Sequence, residues 1–109
     1  MKNRNTQAQQ HIDFVRTSVL KFYISDYSFF KTLPETTIFY KALKVNPETK
    51  KAICTAFELN IEAMCRYKRQ LEKQGLLEQS DKKVYCKFTG HRAHLLTTNT
   101  FLFKANKKE

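Results

Sequence analysis

The residues best suited to chemistry lie in two short stretches, where cations sit beside hydrogen-bonding and aromatic groups. One is 60–69, Asn-Ile-Glu-Ala-Met-Cys-Arg-Tyr-Lys-Arg; the other is 82–94, which carries Lys82, Lys83, Lys87, His91, Arg92 and His94. A guanidinium can grip the edge of guanine with two hydrogen bonds, and lysine neutralises phosphate as a point charge. The expected contact set for a nucleic-acid duplex is Lys50, Lys51, Asn60, Glu62, Arg66, Tyr67, Arg69, Lys87, His91 and Arg92. Within it, Arg66 is placed to read a base. Asn60 is better suited to capping a helix than to reading one. Lys50, Lys51, Lys68, Arg69 and Lys73 suit phosphates or solvent, and Arg92 suits a narrow minor groove.

Other chemistries fit less well. Cys86, His91 and His94 form a Cys-x4-His-x2-His run, but a closed zinc site needs a fourth ligand. Alternation along a strand also sends His91 and His94 to opposite faces. No glycine-rich phosphate loop, nucleophile elbow or purposeful carboxylate pair is present, and nothing flanking Cys86 and His91 supports a nucleophile–base pair. We therefore expect no enzymatic activity, no metal and no cofactor. Aromatic residues interleaved with cations can stack unpaired bases. Most of the tyrosines and phenylalanines here fall at core spacing, with Tyr67 expected to be the exposed exception.

The whole chain fits this reading. Its 109 residues suit one small domain, and two glycines and two prolines leave little room for irregular structure. The net charge of +10 favours an acidic partner, nucleic acid before an anionic membrane surface. Three cysteines without a Cys-x-x-Cys spacing suggest reduced thiols, and no signal-peptide or membrane-spanning run is visible. A soluble cytoplasmic protein is expected.

The elements that must position the cations follow from periodicity. Ala8, Ile12, Val15, Val19, Phe22 and Tyr23 make one helical stripe over 6–24. Residues 25–33 read as a connection with Phe29 and Phe30 tucked inward. Pro34 opens a helix to about residue 43, and Asn46-Pro47-Glu48 reads as the start of the next. Residues 58–60 make a tight turn, Asn60 caps a helix over 61–74, and Gly75 closes it. Alternation then predicts an interrupted strand over 76–88, a turn at 89–92 and a return strand over 93–98. Phe101, Leu102 and Phe103 are expected to dock the end of the chain on the core, leaving a loose charged tail at 104–109. The expected organisation is an N-terminal helix and connection over 1–33, a second unit over 34–103, and the tail.

Over residues 36–98 this pattern resembles the winged helix-turn-helix proteins. Ile53, Cys54 and Phe57 match the packing positions of the first motif helix, Leu59 the apolar residue after the turn, and Met64 that of the second helix. Leu71-x-x-x-Gly75-Leu76-Leu77 is similar to the family's exit from its recognition helix. Arg92-Ala-His-Leu-Leu-Thr-Thr98 is similar to the return strand of MarR-like wings. Glu58 stands where the turn usually has Gly, Cys54 replaces the usual Ala, and the wing tip lacks an acidic residue. The resemblance implies a mainly α fold with a small β-hairpin, a winged helix-turn-helix. It also implies double-stranded DNA binding through the helix at 61–74 and a basic wing at 82–94. A transcriptional regulator or a mobile-element accessory protein is the expected role. Because a fold does not fix a function, a winged-helix interaction module for an acidic protein is the alternative. A homodimer through Ile12, Val15, Val19 and Phe22 is also expected.

Overall fold

The computed structural model describes residues 6–86 and 91–103; residues 1–5, 87–90 (with Lys87 and part of the turn expected at 89–92) and 104–109 lie outside the described residues. The elements in order are α1 (Thr6–Phe22), α2 (Tyr27–Phe30), α3 (Glu35–Val45), α4 (Lys50–Phe57) and α5 (Ile61–Lys73). After these come β1 (Glu78–Tyr85), β2 (Arg92–Thr97) and a 3-10 turn at Thr100–Leu102. The protein is mainly helical with one antiparallel pair of strands, as its periodicity predicts.

Local capping chemistry sets several helix starts. Asp26, Thr49 and Asn60 accept from the backbone N–H three residues on, at 2.8, 3.2 and 2.8 Å. Two starts differ from expectation. Pro34 is the N-cap of α3, not its first residue. Asn46 ends α3, and the next helix begins only after Thr49. The reason is tertiary: Glu48 is spent on an isolated antiparallel bridge, its N–H donating to Leu96 at 3.1 Å and its carbonyl accepting from Leu96 at 2.8 Å. A backbone held extended by a strand cannot also begin a helix.

Helices α1, α4 and α5 end in the same motif. The N–H five residues on donates to a carbonyl in the last turn: Ser25 to Leu20 at 2.9 Å, Leu59 to Cys54 at 2.8 Å and Leu76 to Leu71 at 2.9 Å. This Schellman closure needs a left-handed residue just past the helix, usually Gly. Gly75 supplies it at φ 75°, but Ile24 and Glu58 adopt φ 52° and 57° in the other two.

The core lies where α1, α3, α4 and α5 meet, and Phe30, Phe39, Phe57, Ile38, Leu43, Ile53 and Met64 are its largest buried side chains. Each contributes about 1.5–3 kcal/mol of transfer free energy. Cys54 is buried beside them, and burial pushes its thiol up to about 12, so it stays protonated at neutral pH. Thr97 and Thr98 fasten β2 to α3. The Thr98 hydroxyl donates to the Tyr40 carbonyl at 2.8 Å, while the Thr97 hydroxyl and the Thr98 N–H both donate at 3.4 Å to the Leu43 carbonyl, an acceptor that the end of α3 leaves open.

Three apolar expectations are corrected. Ile12, Val15 and Val19 are buried in this chain's own core, so the expected dimer face is not available; only Phe22 of that set is exposed. Phe29 and Phe30 do not both turn in: the single turn of α2 buries Phe30 and leaves Phe29 64% exposed. Phe101 does not dock on the core. It sits in the 3-10 turn at 84% exposure.

Candidate nucleic-acid interface

The turn between α4 and α5 is built from Phe57, Glu58, Leu59 and Asn60. Leu59 is buried between the helices, while Glu58 takes the left-handed conformation that the tight turn demands. A non-glycine residue there costs about 1–2 kcal/mol, and tertiary contacts offset it. Arg16 of α1 donates from Nε and Nη2 to the Ala56 carbonyl at 2.9 and 2.8 Å, and its guanidinium stacks 4.3 Å from the Tyr27 ring centroid. Lys31 donates to the Phe57 carbonyl at 2.7 Å. Two cations therefore face the negative end of α4, where the helix dipole favours them. Tyr27 donates from its hydroxyl to Glu58 Oε1 at 2.9 Å. Arg16 and Lys31 lie outside the motif in sequence, and no local pattern marks them.

This arrangement carries a testable consequence. Arg16→Ala should lower the unfolding free energy by about 2 kcal/mol, because a buried carbonyl loses a charged donor. Urea unfolding measures it, and a loss below about 0.5 kcal/mol, the size of an ordinary surface change, would show that the turn does not depend on Arg16.

On α5 the spacing divides the side chains cleanly. Met64 and Leu71 are buried, and Ile61 and Tyr67 pack partly against the core. Glu62, Arg66, Arg69 and Lys73, at steps of four, three and four, are exposed and share the outward face. Asn60 caps the helix with its side-chain oxygen, and its own N–H donates to Glu35 Oε1 at 3.2 Å, so it serves the turn. Lys68 pairs with Glu72 at 3.3 Å.

Two expected contact residues are placed differently. Tyr67 is half-buried, its ring edge-on to Phe39 at 6.1 Å, and desolvation raises its phenol above the usual range, with Tyr40 adding to the shift. It supports the core from the flank of α5. Lys50 is half-buried and donates to Cys65 Sγ at 2.7 Å, tying α4 to α5; Lys51 is the exposed lysine of that pair.

The hairpin has the register Glu78↔Thr97, Gln79↔Leu96, Lys83↔His94, Val84↔Ala93 and Tyr85↔Arg92. Between Gln79 and Lys83 β1 bulges. Ser80 fills the gap: its Oγ accepts from the Leu95 N–H at 3.0 Å, and its carbonyl accepts from His94 Nδ1 at 2.7 Å. The carbonyl can only accept, so His94 carries its proton on Nδ1 and braces the bulge. Cys86 is buried, its sulfur 3.3 Å from the Thr49 hydroxyl. Among the described residues no group of His, Cys, Asp and Glu is arranged to hold a metal ion. His91 and Arg92 are exposed at the far end of β2, and Arg92 lies opposite Tyr85, itself 62% exposed. The outward tyrosine is thus Tyr85, which alternation beside the inward-leaning Val84 signals. Both β2 and α5 pack on α3, so one helix positions both basic surfaces.

Comparison with protein-family models, with curated proteins and with solved structures returns no match. No described helix is long and apolar enough to cross a membrane.

Proposed function

We propose that this chain is a winged helix-turn-helix protein that binds double-stranded DNA. In this reading α5 is the recognition helix and the β1–β2 hairpin is the wing. The observation that carries it is the outward face of α5, where Arg66, Arg69 and Lys73 stand on a helix whose other side is locked into the core. Rigid support beneath a row of cations is what groove docking requires. Arg92 adds an exposed cation on the hairpin, opposite the exposed Tyr85, and the net charge of +10 gives long-range attraction to phosphate. Arg66, near the helix start, would read a base edge; Lys51, Arg69, Lys73 and Arg92 would meet phosphates. Small size and basic charge fit a transcriptional regulator or a mobile-element accessory protein acting in the cytoplasm.

A salt titration of duplex binding, with single-stranded DNA alongside, tests the proposal. If those four cations each neutralise one phosphate, the log–log slope should be roughly −4, at ~0.9 per contact. Duplex should be preferred over the single strand. Absence of duplex binding at low salt would sink the reading and leave an acidic protein as the partner of the basic face.

A further inference from the structure

A lysine and a cysteine meet between α4 and α5. Lys50 Nζ lies 2.7 Å from Cys65 Sγ. A nitrogen donor usually meets oxygen, a smaller atom than sulfur, at ~2.9–3.0 Å, so this contact is short for a hydrogen bond. It also does little to hold an ammonium out of water, because thiol sulfur is a weak acceptor. Both side chains are half-buried, and among the described residues no carboxylate pairs with Lys50. Lys50 is the first residue of α4, where the helix dipole disfavours a cation. Cys54, one turn along α4, is buried and its thiol stays protonated at neutral pH, so Cys65 is the more accessible sulfur of the two. Reactive cysteines are partly exposed beside a cation, and Cys65 meets both conditions.

We propose that Lys50 and Cys65 form an oxidative modification site, at which dioxygen or a peroxide inserts one oxygen atom between Nζ and Sγ and joins α4 to α5 covalently. Two single bonds meeting at a bridging oxygen span close to the observed separation, so neither helix has to move. The S–H bond and one N–H bond break, and an S–O and an N–O bond form. Sulfur and nitrogen each give up two electrons. One dioxygen takes all four, leaving the bridging oxygen and one water; two molecules of hydrogen peroxide take two each and leave three waters. The extra proton of the ammonium goes to solvent. Oxidation of a thiolate to sulfenic acid is the ordinary first rung of cysteine chemistry, and here an amine already in contact captures the oxygen. A dithiol reductant supplies the four electrons that reverse the bridge, and the oxygen leaves as water. The proposal does not rest on the DNA reading, because it is read on the free protein.

Intact-mass measurement of the whole chain is the test, after full reduction and then exposure to air-saturated buffer or to hydrogen peroxide. The parent should gain ~14 Da, one oxygen in and two hydrogens out, where a sulfenic acid gains ~16 Da and a disulfide loses ~2 Da. Dithiothreitol should restore the reduced mass, and digestion of the oxidised chain should yield residue 50 joined to residue 65. Lys50→Arg keeps the charge and Cys65→Ser the size, and each should abolish the new species. Cys54→Ala should retain it. A parent that keeps its reduced mass under both oxidants, or takes up oxygen only as sulfur oxides, overturns the proposal. So does a Cys54–Cys65 disulfide, a gain that survives in Lys50→Arg or Cys65→Ser, or its loss from Cys54→Ala.

Discussion

Phe57→Ala should lower the unfolding free energy by about 3–5 kcal/mol, the cost of deleting a buried aromatic ring and leaving a cavity. A domain of this size holds about 5–15 kcal/mol in all, so the variant should be marginal or unfolded at physiological temperature. Phe57 is fully buried; its ring lies 5.4 Å from Phe30 and 6.2 Å from Tyr27, centroid to centroid. Those partners come from α2, so the cavity would separate the α1–α2 end from the turn before α5. Phe101→Ala is the control. At 84% exposure it should change stability by no more than about 0.5 kcal/mol, the surface range. Urea unfolding of both variants gives the comparison. A loss at Phe57 below about 1 kcal/mol would fall outside the range for a filled aromatic site and would contradict the packing.

The contrast between these phenylalanines marks what the sequence can disclose. Position within a long periodic element is legible: Ile53, Phe57, Met64 and Leu71 recur at helical spacing and are all buried. Local chemistry is legible too, as Asn60 and Gly75 show, because a cap or a left-handed glycine carries its own signal. Elements set by distant partners are not. Ile24 and Glu58 close helices with the wrong residue type for a local rule, and Glu58 is supported by Arg16, Lys31 and Tyr27, which lie well before it in the chain. Phe29 and Phe30 are adjacent, and only the single turn of α2 decides which is buried. At Glu48 the partner is Leu96, so Asn46-Pro47 looks like a helix start only while β2 is ignored.

The candidate site divides the same way. The exposure of Glu62, Arg66 and Arg69 follows from the period of α5 once its buried face is known. Tyr67 sits one residue along, on the flank, where its ring turns in edge-on to Phe39 of α3. Lys50 and Lys51 are neighbours of the same type, and Cys65 on the facing helix takes one of them. Charge and spacing therefore locate a basic face to within a residue or two. Which member of each pair projects from it depends on packing.

Arg66→Glu combined with Arg69→Glu should reduce duplex affinity by about two orders of magnitude at low salt without unfolding the protein. Both side chains are exposed on the outward face of α5, so stability should move by no more than about 0.5 kcal/mol each. In the proposed complex each reversal removes one contact and adds a repulsion. The Arg66 base contact is worth about 1–3 kcal/mol, and loss of the Arg69 phosphate contact together with two new repulsions at low salt brings the total to about two orders of magnitude. The single variants separate the roles. Arg66→Ala should relax preference among duplex sequences, whereas Arg69→Ala should weaken all duplexes alike and make the salt slope about one unit shallower. Fluorescence anisotropy with a set of duplexes of defined, differing sequence at two salt concentrations reads both effects. If the double variant binds like the parent, α5 does not enter the groove, and any DNA affinity must come from the hairpin side, where Arg92→Ala becomes the deciding substitution.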